Sequence, residues 1–308
     1  MMGRHHMRLL SQLDGVEFVG VHDVALAGRD SVNGHRVFGT LEDLIAAGLD
    51  YCVVAAPTVF HLDLGLNLAR SGVHALIEKP VAPSHREATR LVDAFNNAGL
   101  VGGVGHIERF NPALQAMRRK IEEGLLGDIY QISTRRQGPF PSRIADVGVV
   151  KDLATHDIDL TAWVAQSPYQ SVAARTTHRS GRDHEDMVVA VGTLENGAIV
   201  NHVVNWLSPF KERNTTVIGD KGALVADTLT ADLTFYENGT ARNDWDSVQS
   251  FRGVAEGDVT RFALDKVEPL LTEHLAFRDA VLTGQTGGIV TLAEGLAAVA
   301  IADAMLGA

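Results

Sequence analysis

Two short clusters of ionisable residues have the types and spacing that chemistry needs. Asp152 precedes His156 by four residues, so in a helix its carboxylate lies one turn from the imidazole and can fix the tautomer and tune the pKa of that ring. A proton-transfer residue needs this arrangement. The second cluster is Glu78-Lys79-Pro80, in which a carboxylate and an ammonium group end an apolar run. The sequence therefore predicts one acid–base residue and one lysine placed to meet a ligand.

Each cluster also has a plainer interpretation. Glu78-Lys79-Pro80 is compatible with a surface loop that holds a charge pair, and the polar residues around His156, including Asp159, are compatible with a solvated helix face. A metal site is disfavoured, because metal ions need three or four ligands and no further His or Cys has a suitable spacing nearby. We therefore expect no metal at this cluster.

Lys79 ends a predicted strand, and the pattern around that strand indicates which edge of a sheet carries it. Pro80 cannot donate a backbone hydrogen bond and biases Lys79 toward an extended backbone, so the strand predicted over 73–77 stops there. Further strands are predicted over 16–21, 51–56 and 100–104, and helices over 4–13, 41–47, 62–71 and 84–98. This alternation is typical of an α/β fold with a doubly wound parallel sheet, in which ligands bind at the carboxyl ends of the strands.

Asp23 has the position that a dinucleotide fold gives to its ribose-binding carboxylate. It follows the strand predicted over 16–21 and stands twenty residues after Gly3. A carboxylate there accepts hydrogen bonds from both ribose hydroxyls and repels a 2′-phosphate, so it favours NAD over NADP as the cofactor. The alternative is a polar residue in a turn.

Gly3 fits the last glycine of the Gly-x-Gly-x-x-Gly fingerprint, the one that packs a helix against the first strand. The first strand and the first two glycines of that fingerprint do not precede it. Two explanations stay open: the sequence begins downstream of them, or the protein has lost part of its pyrophosphate site.

A turn follows the strand predicted over 51–56. It consists of Ala56-Pro57-Thr58, with His61 three residues later. The backbone of such a turn can press against the nicotinamide ribose of a dinucleotide. Thr58 as the N-cap of the following helix is an equal alternative, because Thr is a good N-cap residue.

Alternation of apolar and polar residues dominates the second half of the chain. Asn111 followed by Pro112 predicts a helix start, and that helix extends over 112–124. Strands are predicted over 129–135, 171–177, 187–194, 198–205, 214–219, 223–227 and 232–236, and helices over 152–165, 268–283 and 291–306. The strands from 171 onward predict a mostly antiparallel sheet of five or six strands, with helices on one face and the other face free for a partner subunit.

These patterns predict two domains. We expect a dinucleotide-binding domain over 1–105 and an α+β domain over 106–308 that binds substrate and a partner subunit, with the last helices packing back on the first domain. The formal net charge of −11 disfavours nucleic-acid binding, and no apolar run is long enough to span a membrane. We see no signal peptide and expect a cytoplasmic protein. The single cysteine, Cys52, lies in an apolar run and is expected to be a buried, inert thiol.

Several motifs together resemble the Gfo/Idh/MocA family of oxidoreductases. The matching segments are Gly3-Arg4-His5-His6, Ala56-Pro57-Thr58, Glu78-Lys79-Pro80, Arg109-Phe110-Asn111-Pro112 and Asp152-Leu153-Ala154-Thr155-His156-Asp157. The resemblance covers nearly the whole chain. Within the family, Gly105-His106-Ile107-Glu108-Arg109-Phe110-Asn111-Pro112 and Gly138-Pro139-Phe140-Pro141 are most similar to the UDP-N-acetylglucosamine 3-dehydrogenase branch.

The resemblance implies a Rossmann domain, a second domain with an open sheet, and hydride transfer between NAD and a hydroxyl carbon of a nucleotide sugar or a related sugar or cyclitol. Lys79, Asp152 and His156 would form the catalytic group. His156 would be the general acid/base, Lys79 would hydrogen-bond the reacting oxygen and stabilise alkoxide charge, and Asp152 would orient His156. Lys79 and His156 could exchange roles.

Binding residues are expected from the same motifs, and an assembly is expected from the free face of the predicted sheet. Contacts with NAD are expected from Met2, Gly3, Arg4, Asp23, Ala56, Pro57, Thr58, His61, Glu78 and Lys79. Contacts with a small-molecule substrate are expected from Arg109, Asn111 and Arg143, and a homodimer or homotetramer is expected. Because the glycine fingerprint is partial, a non-catalytic family member that acts as a binding or regulatory protein is the alternative.

Overall fold

The computed structural model of the chain describes residues 2–140, 147–239 and 256–307. The chain divides into two units. The first unit contains Met1–Ile107 and Glu268–Ala300, and the second unit contains Glu108–Val267 and Ile301–Ala308. The first unit thus combines residues from both ends of the sequence.

A three-stranded parallel sheet forms the centre of the first unit. The elements of its amino-terminal segment are α1 (Met2–Leu10), β1 (Ser31–Val32), β2 (His35–Arg36), α2 (Leu41–Ala46), β3 (Tyr51–Val54), α3 (His61–Arg70), β4 (His74–Glu78), α4 (His85–Ala98) and β5 (Gly102–Gly105). The strand order is β3-β4-β5, with both pairs parallel, and β1 and β2 form a separate hairpin. The predicted α/β alternation is confirmed.

The strand predicted over 16–21 is wrong. Only Val21 forms a β-bridge, opposite Val37, and the bridge has two backbone hydrogen bonds. A strand needs a ladder of such bonds along a neighbour. Residues 16–20 have no such neighbour in the described part of the chain, so their apolar alternation does not become a strand.

Large antiparallel pairings dominate the second unit. Its elements are α5 (Pro112–Glu122), β6 (Ile129–Pro139), a π-helical turn (Val150–Ala154), α6 (Thr155–Ala165), β7 (Tyr169–Thr177), β8 (Met187–Leu194), β9 (Ile199–Asn205), β10 (Leu207–Gly219), β11 (Gly222–Asp227), β12 (Asp232–Asn238) and β13 (Glu256–Phe262). The sheet order is β13-β12-β11-β10-β6-β9-β8-β7, and β6 with β9 is its parallel pair.

The sheet has eight strands, so the prediction of five or six is corrected. Two strands account for the difference. β6 lies in the middle of the sheet, and its parallel neighbour β9 follows about sixty residues later, a pairing that local alternation does not reveal. β13 is an edge strand with several exposed side chains, so its sequence carries a weak apolar signal.

Successive residues of this sheet face opposite sides. One cross-strand row consists of buried apolar side chains: Phe235, Leu224, Val217, Ile132 and Val200. They pack against α5 and α6, whose Leu114, Met117, Leu160 and Val164 belong to the same core. The row one residue away contains Val259, Tyr236, Ile218 and Ile199, which are 61%, 46%, 38% and 51% exposed. We call this second row the open-face row.

The chain ends in α7 (Pro269–Thr283) and α8 (Leu292–Leu306). α7 packs on the parallel sheet of the first unit, where Phe277 and Ala280 join a core with Leu76 and Val101. A Cβ on Gly103 of β5 would lie 2.9 Å from the Phe277 ring, so this strand needs a glycine where the helix approaches. In the described ranges, every helix is too short or too polar to cross a bilayer.

Candidate active site

Lys79 directly follows β4, the middle strand of the parallel sheet, so it lies at the carboxyl edge where α/β folds bind ligands. Its backbone N–H donates to Glu78 Oε2 at 3.2 Å, and Glu78 itself is buried. The peptide bond between Lys79 and Pro80 is cis. The strand end thus fixes the backbone of Lys79.

His61 joins two loops at this edge. Its Nδ1 lies 3.0 Å from the carbonyl oxygen of Pro80, and its Nε2 lies 2.9 Å from that of Ala56. Both acceptors are backbone oxygens, and the ring is 1% exposed. The ring nitrogens thus face one backbone oxygen in each of the two loops. In this structure His61 holds the turn after β3 against the Lys79-Pro80 loop.

Thr58 is not a helix N-cap, so that alternative is wrong. It begins a short 3₁₀ turn, Thr58–Phe60, and the N-cap position of α3 belongs to Phe60. Thr58 is 9% exposed. The turn of Ala56, Pro57 and Thr58 therefore stands at the carboxyl end of β3 without a helix-capping role for the Thr58 side chain.

Gly3 lies in the first turn of α1, and Asp23 lies at the end of the 16–23 segment. The first turn of α1 contains Met2, Gly3 and Arg4 and no acidic residue, so its unpaired backbone N–H groups suit a phosphate. A Cβ on Gly3 would lie 3.9 Å from the Cβ of Ala55, which is an ordinary contact. Asp23 is exposed and accepts a hydrogen bond from the N–H of Ala25 at 2.8 Å. The chemistry of these groups suits a phosphate and ribose hydroxyls, and their contacts with NAD stay predictions.

Asp152 and His156 belong to the second unit and are 7% and 8% exposed. Asp152 lies in the π-helical turn and His156 in the first turn of α6, so the continuous α-helix predicted over 152–165 is corrected. Glu185 supports the start of this turn: its Oε1 accepts from the N–H of Val150 at 2.9 Å, and a Cβ on Gly148 would collide with its carboxylate.

Asp157 of this segment and Glu108 both bind the buried Arg136. Arg136 Nε donates to Asp157 Oδ1 at 2.9 Å and its other end donates to Glu108 at 2.9 Å. Burial raises the pKa of Asp157 even though Arg136 opposes that effect. Burial also favours the neutral form of Glu108, but Arg136 outweighs it and lowers the pKa of that carboxyl. The solvated helix face is therefore excluded for this segment.

Arg109 and Asn111 are held by the fold. Arg109 donates from Nε and Nη2 to the two oxygens of Asp159 at 2.7 and 2.6 Å, a buried bidentate pair. Asn111 caps α5 by accepting from the N–H of Ala113, as predicted, and donates to the carbonyl of Thr228. Their substrate contacts stay predictions. Arg143, the third predicted substrate contact, lies outside the described residues.

Sequence patterns did not reveal several supporting residues. His6, His274 and Glu273 surround Glu78 in the first unit, and Arg136 with Glu185 supports the second cluster. Their partners are far along the chain, so local spacing gave no signal for them. No group of three His, Cys, Asp or Glu residues with metal-binding geometry occurs within 2–140, 147–239 and 256–307.

Several curated proteins similar to this chain are named as dehydrogenases. UDP-N-acetylglucosamine 3-dehydrogenase of Acidithiobacillus ferrooxidans is 28% identical over 82% of this chain and 78% of its own length. Inositol 2-dehydrogenase 2 of Saccharopolyspora erythraea is 29% identical over 65% of this chain, and the match spans 62% of that relative's length.

Solved structures share the fold over nearly the whole chain. The UDP-N-acetylglucosamine 3-dehydrogenase GnnA from Acidithiobacillus ferrooxidans superposes with a TM-score of 0.83 at 25% identity, covering 98% of this chain and 92% of that one. The WlbA dehydrogenase from Bordetella pertussis, solved with NADH and UDP-GlcNAcA, gives a TM-score of 0.78 at 25% identity, covering 99% of this chain and 92% of that one.

Two family models match separate parts of the sequence. Residues 1–106 match the model described as an oxidoreductase family with an NAD-binding Rossmann fold, and residues 114–225 match the GFO/IDH/MocA C-terminal domain. Together with the dehydrogenase relatives, these matches confirm the resemblance. The chain belongs to the Gfo/Idh/MocA family of NAD-binding oxidoreductases.

Proposed function

We propose that the protein is an NAD-dependent dehydrogenase that transfers a hydride between the nicotinamide and a hydroxyl carbon of a nucleotide sugar, with a related sugar or cyclitol as the neighbouring class. The observation that carries this proposal is Lys79 at the carboxyl end of the middle strand β4 of an NAD-binding Rossmann domain. The nucleotide-sugar class is supported by the UDP-sugars in the names of two similar proteins.

Each catalytic residue has a defined task in this proposal. NAD supplies the hydride acceptor when it is bound. His156 removes the proton of the substrate hydroxyl as the carbon gives up its hydride, so the carbinol becomes a carbonyl and one proton is released. The Lys79 ammonium donates to the same oxygen and stabilises its developing negative charge. Asp152, one turn before His156, orients the imidazole. In the reductive direction the same groups return the proton.

An assay with purified full-length protein tests the proposal. NADH formation is measured with UDP-N-acetylglucosamine, myo-inositol and scyllo-inositol, and NAD binding is measured in parallel by calorimetry. We expect turnover of UDP-N-acetylglucosamine with a kcat/KM at least about tenfold above that of the inositols, a difference of about 1.4 kcal/mol. NAD binding without turnover of the three compounds would contradict the substrate class. Failure to bind NAD would favour the non-catalytic alternative.

The choice of NAD over NADP is assigned to Asp23. Its exposed carboxylate at the end of the 16–23 segment accepts ribose hydroxyls and repels a 2′-phosphate. We expect calorimetry to give NADP a Kd at least about tenfold above that of NAD, and Asp23→Ser to narrow this ratio. Asp30→Ser, a change at another exposed aspartate, should leave the ratio unchanged. Equal affinities for both cofactors in the unmodified protein would overturn the assignment.

The protein assembles as a homodimer through the open-face row in this proposal. Val259, Tyr236, Ile218 and Ile199 lie in one cross-strand row on the side opposite the helices, and each is at least 38% exposed. Ala223 and Gln131 lie between them in the same row. A sheet face of this kind is a self-complementary surface for a second copy of the chain. A tetramer would need a further surface.

A further inference from the structure

Four ionisable side chains are buried close together behind the strand end that carries Lys79. They are His6 of α1, Glu78 of β4, and Glu273 and His274 of α7, and their exposed fractions are 2%, 8%, 2% and 0%. We call them the Glu78 network. All belong to the first unit, although α7 follows the second unit along the chain.

Hydrogen bonds connect three members in a line. His6 Nε2 lies 2.8 Å from Glu78 Oε1, and His6 Nδ1 lies 2.9 Å from His274 Nε2. Burial lowers the pKa of His274 to about 3, so this ring is neutral at physiological pH. When His274 donates its Nε2–H to His6 Nδ1, the hydrogen of a neutral His6 is on Nε2 and faces the carboxylate.

The pKa values of the two carboxyl groups of the network are shifted in opposite directions. Burial opposes ionisation of Glu78, but the hydrogen bond and charge of His6, with the charge of Lys79, lower the pKa of that carboxyl. Burial and the nearby Glu78 raise the pKa of Glu273 well above its ordinary value. Neither Glu273 oxygen has a hydrogen-bond partner within the described residues. Glu78 is therefore the carboxyl of the network whose ionised form is favoured.

If the Glu78 network only filled space in the core, its buried charge would lower the stability of the fold. Apolar side chains of similar volume fill a core at least as favourably as a buried ionic group, and a buried carboxyl without partners costs free energy. Glu78 also accepts from the backbone N–H of Lys79. The negative charge of Glu78 therefore lies directly beside Lys79, the residue proposed to stabilise the alkoxide.

We propose that Glu78, His6 and His274 are positioning residues for Lys79: the carboxylate, fixed by the histidine pair, holds the lysine backbone and stabilises the positive charge of its side chain. The effect of these positioning residues on catalysis rests on the proposed function, in which Lys79 is a catalytic residue. It also changes the role predicted for Glu78, which faces the protein interior through His6 and is a support for the lysine.

Loss of the donor on His6 has a defined consequence. Without it the buried Glu78 takes up a proton, and the negative charge beside Lys79 is lost. The ammonium group then loses stabilisation, so Lys79 gives up its proton at a lower pH. The charged and titratable groups that face this carboxylate are His6 from α1, Lys79 from the strand end, and Glu273 and His274 from α7.

Competitive labelling measures this effect on the full chain without substrate or cofactor. Lys79 is acetylated with acetic anhydride across a pH series, and its modified fraction is measured by mass spectrometry. In His6→Leu, which has no donor, the titration midpoint of Lys79 should fall by about one pH unit. In His6→Gln, which keeps an N–H donor of similar size, the midpoint should stay near that of the unmodified protein. Equal midpoints in the three proteins would overturn the proposal.

Two further variants keep the result interpretable. Glu78→Gln should lower the midpoint as His6→Leu does, and it replaces that variant if circular dichroism shows that His6→Leu does not fold. Glu273→Gln should change the midpoint less than Glu78→Gln does, because burial and the nearby Glu78 already favour the neutral form of Glu273. A fall in Glu273→Gln equal to that in Glu78→Gln would contradict the assigned charges.

The kinetic measurement separates this proposal from the proposed function. In an active enzyme, the limb of the kcat/KM profile that reports Lys79 should move to lower pH in His6→Leu and return in His6→Gln. Absence of NAD binding or turnover with a shifted labelling midpoint would refute the proposed function alone. Normal turnover with equal midpoints and equal profiles would refute the positioning role alone.

Discussion

Residues of one type have different tasks within a few positions of each other in this chain. Asp152, Asp157 and Asp159 look equivalent in the sequence, but Asp157 binds Arg136 and Asp159 binds Arg109. These arginines lie 21 and 50 positions away along the chain. The spacing of the cluster therefore predicted that ionisable groups meet near His156, while the division into structural and candidate catalytic carboxylates depended on distant partners.

Lys79→Ala should lower kcat by at least about a hundredfold, because it removes the group that stabilises alkoxide charge. NAD affinity should fall by a smaller factor than kcat, since the other expected NAD contacts, in the turn after β3 and the first turn of α1, are untouched. Steady-state kinetics with the best substrate of the panel measures the loss. Lys211→Ala, at an exposed position of the second unit, is the matched control and should have the kcat of the unmodified protein. Unchanged turnover in Lys79→Ala would remove the lysine from the mechanism.

His202 makes the stability of the second unit sensitive to acid. It is fully buried, bonded to Thr134 and Tyr169, and burial lowers its pKa from 6.5 to about 4. The folded chain holds this ring neutral, so its stabilising contribution is complete above pH 6.5 and is lost as the pH falls toward 4.

Urea unfolding across this pH range should show a loss of up to about 3 kcal/mol from His202. In His202→Gln, the loss of unfolding free energy between pH 6.5 and pH 4 should be smaller by the amount that His202 contributes. This expectation does not depend on the stability of the variant at neutral pH. His178→Gln, at an exposed histidine, should keep the full dependence. An identical pH dependence in His202→Gln and the unmodified protein would show that the ring does not titrate as described.

Helices and strands were predictable where the residues that begin or end them lie within the same short segment. The Ser84 and Glu87 pair marks the start of α4, and Ser84 caps that helix as the spacing predicts. The strand expected over 16–21 failed because strand formation depends on a neighbour, which a single segment does not specify. The π-helical turn at Val150–Ala154 was missed for a similar reason, since its start is supported by Glu185 from another part of the chain.

Gly103→Ala should weaken the contact between β5 and α7. The added methyl group would lie 2.9 Å from the Phe277 ring, so the helix or the strand must shift, at a cost of about 1 to 3 kcal/mol. Chemical denaturation measures the change in the free energy of unfolding. Gly288→Ala is the control, because a methyl group there meets no atom within 4 Å. Equal effects of the two substitutions would mean that α7 does not constrain this strand.

At the scale of the whole molecule, the number and order of strands in the large sheet were the least predictable features. The division of each strand into a buried and an exposed face was predictable from the sequence, because successive residues alternate between the two faces. The order β10-β6-β9 was not visible, since β6 pairs with strands that come much later in the chain.

Ile218→Lys combined with Ile199→Lys should convert the proposed dimer to a monomer, because two charges would be buried in the open-face row. Size-exclusion chromatography with light scattering gives the mass directly. Leu282→Lys, at a 73% exposed position on α7, should leave the assembly intact. A monomeric mass for the unmodified protein would end the dimer proposal.

The first unit consists of two segments that are far apart in the sequence, and this has a consequence for folding during synthesis. Ribosomes add about 5 to 20 residues per second, so roughly 10 to 30 s separate the emergence of β5 from that of α7. During this interval the hydrophobic surface that Phe277 covers, and the place that His274 takes beside His6, are open to solvent or to chaperones. Nascent chains stalled before Glu268 should therefore contain an unfinished first unit, and enzymatic competence would be gained only after α7 has been synthesised.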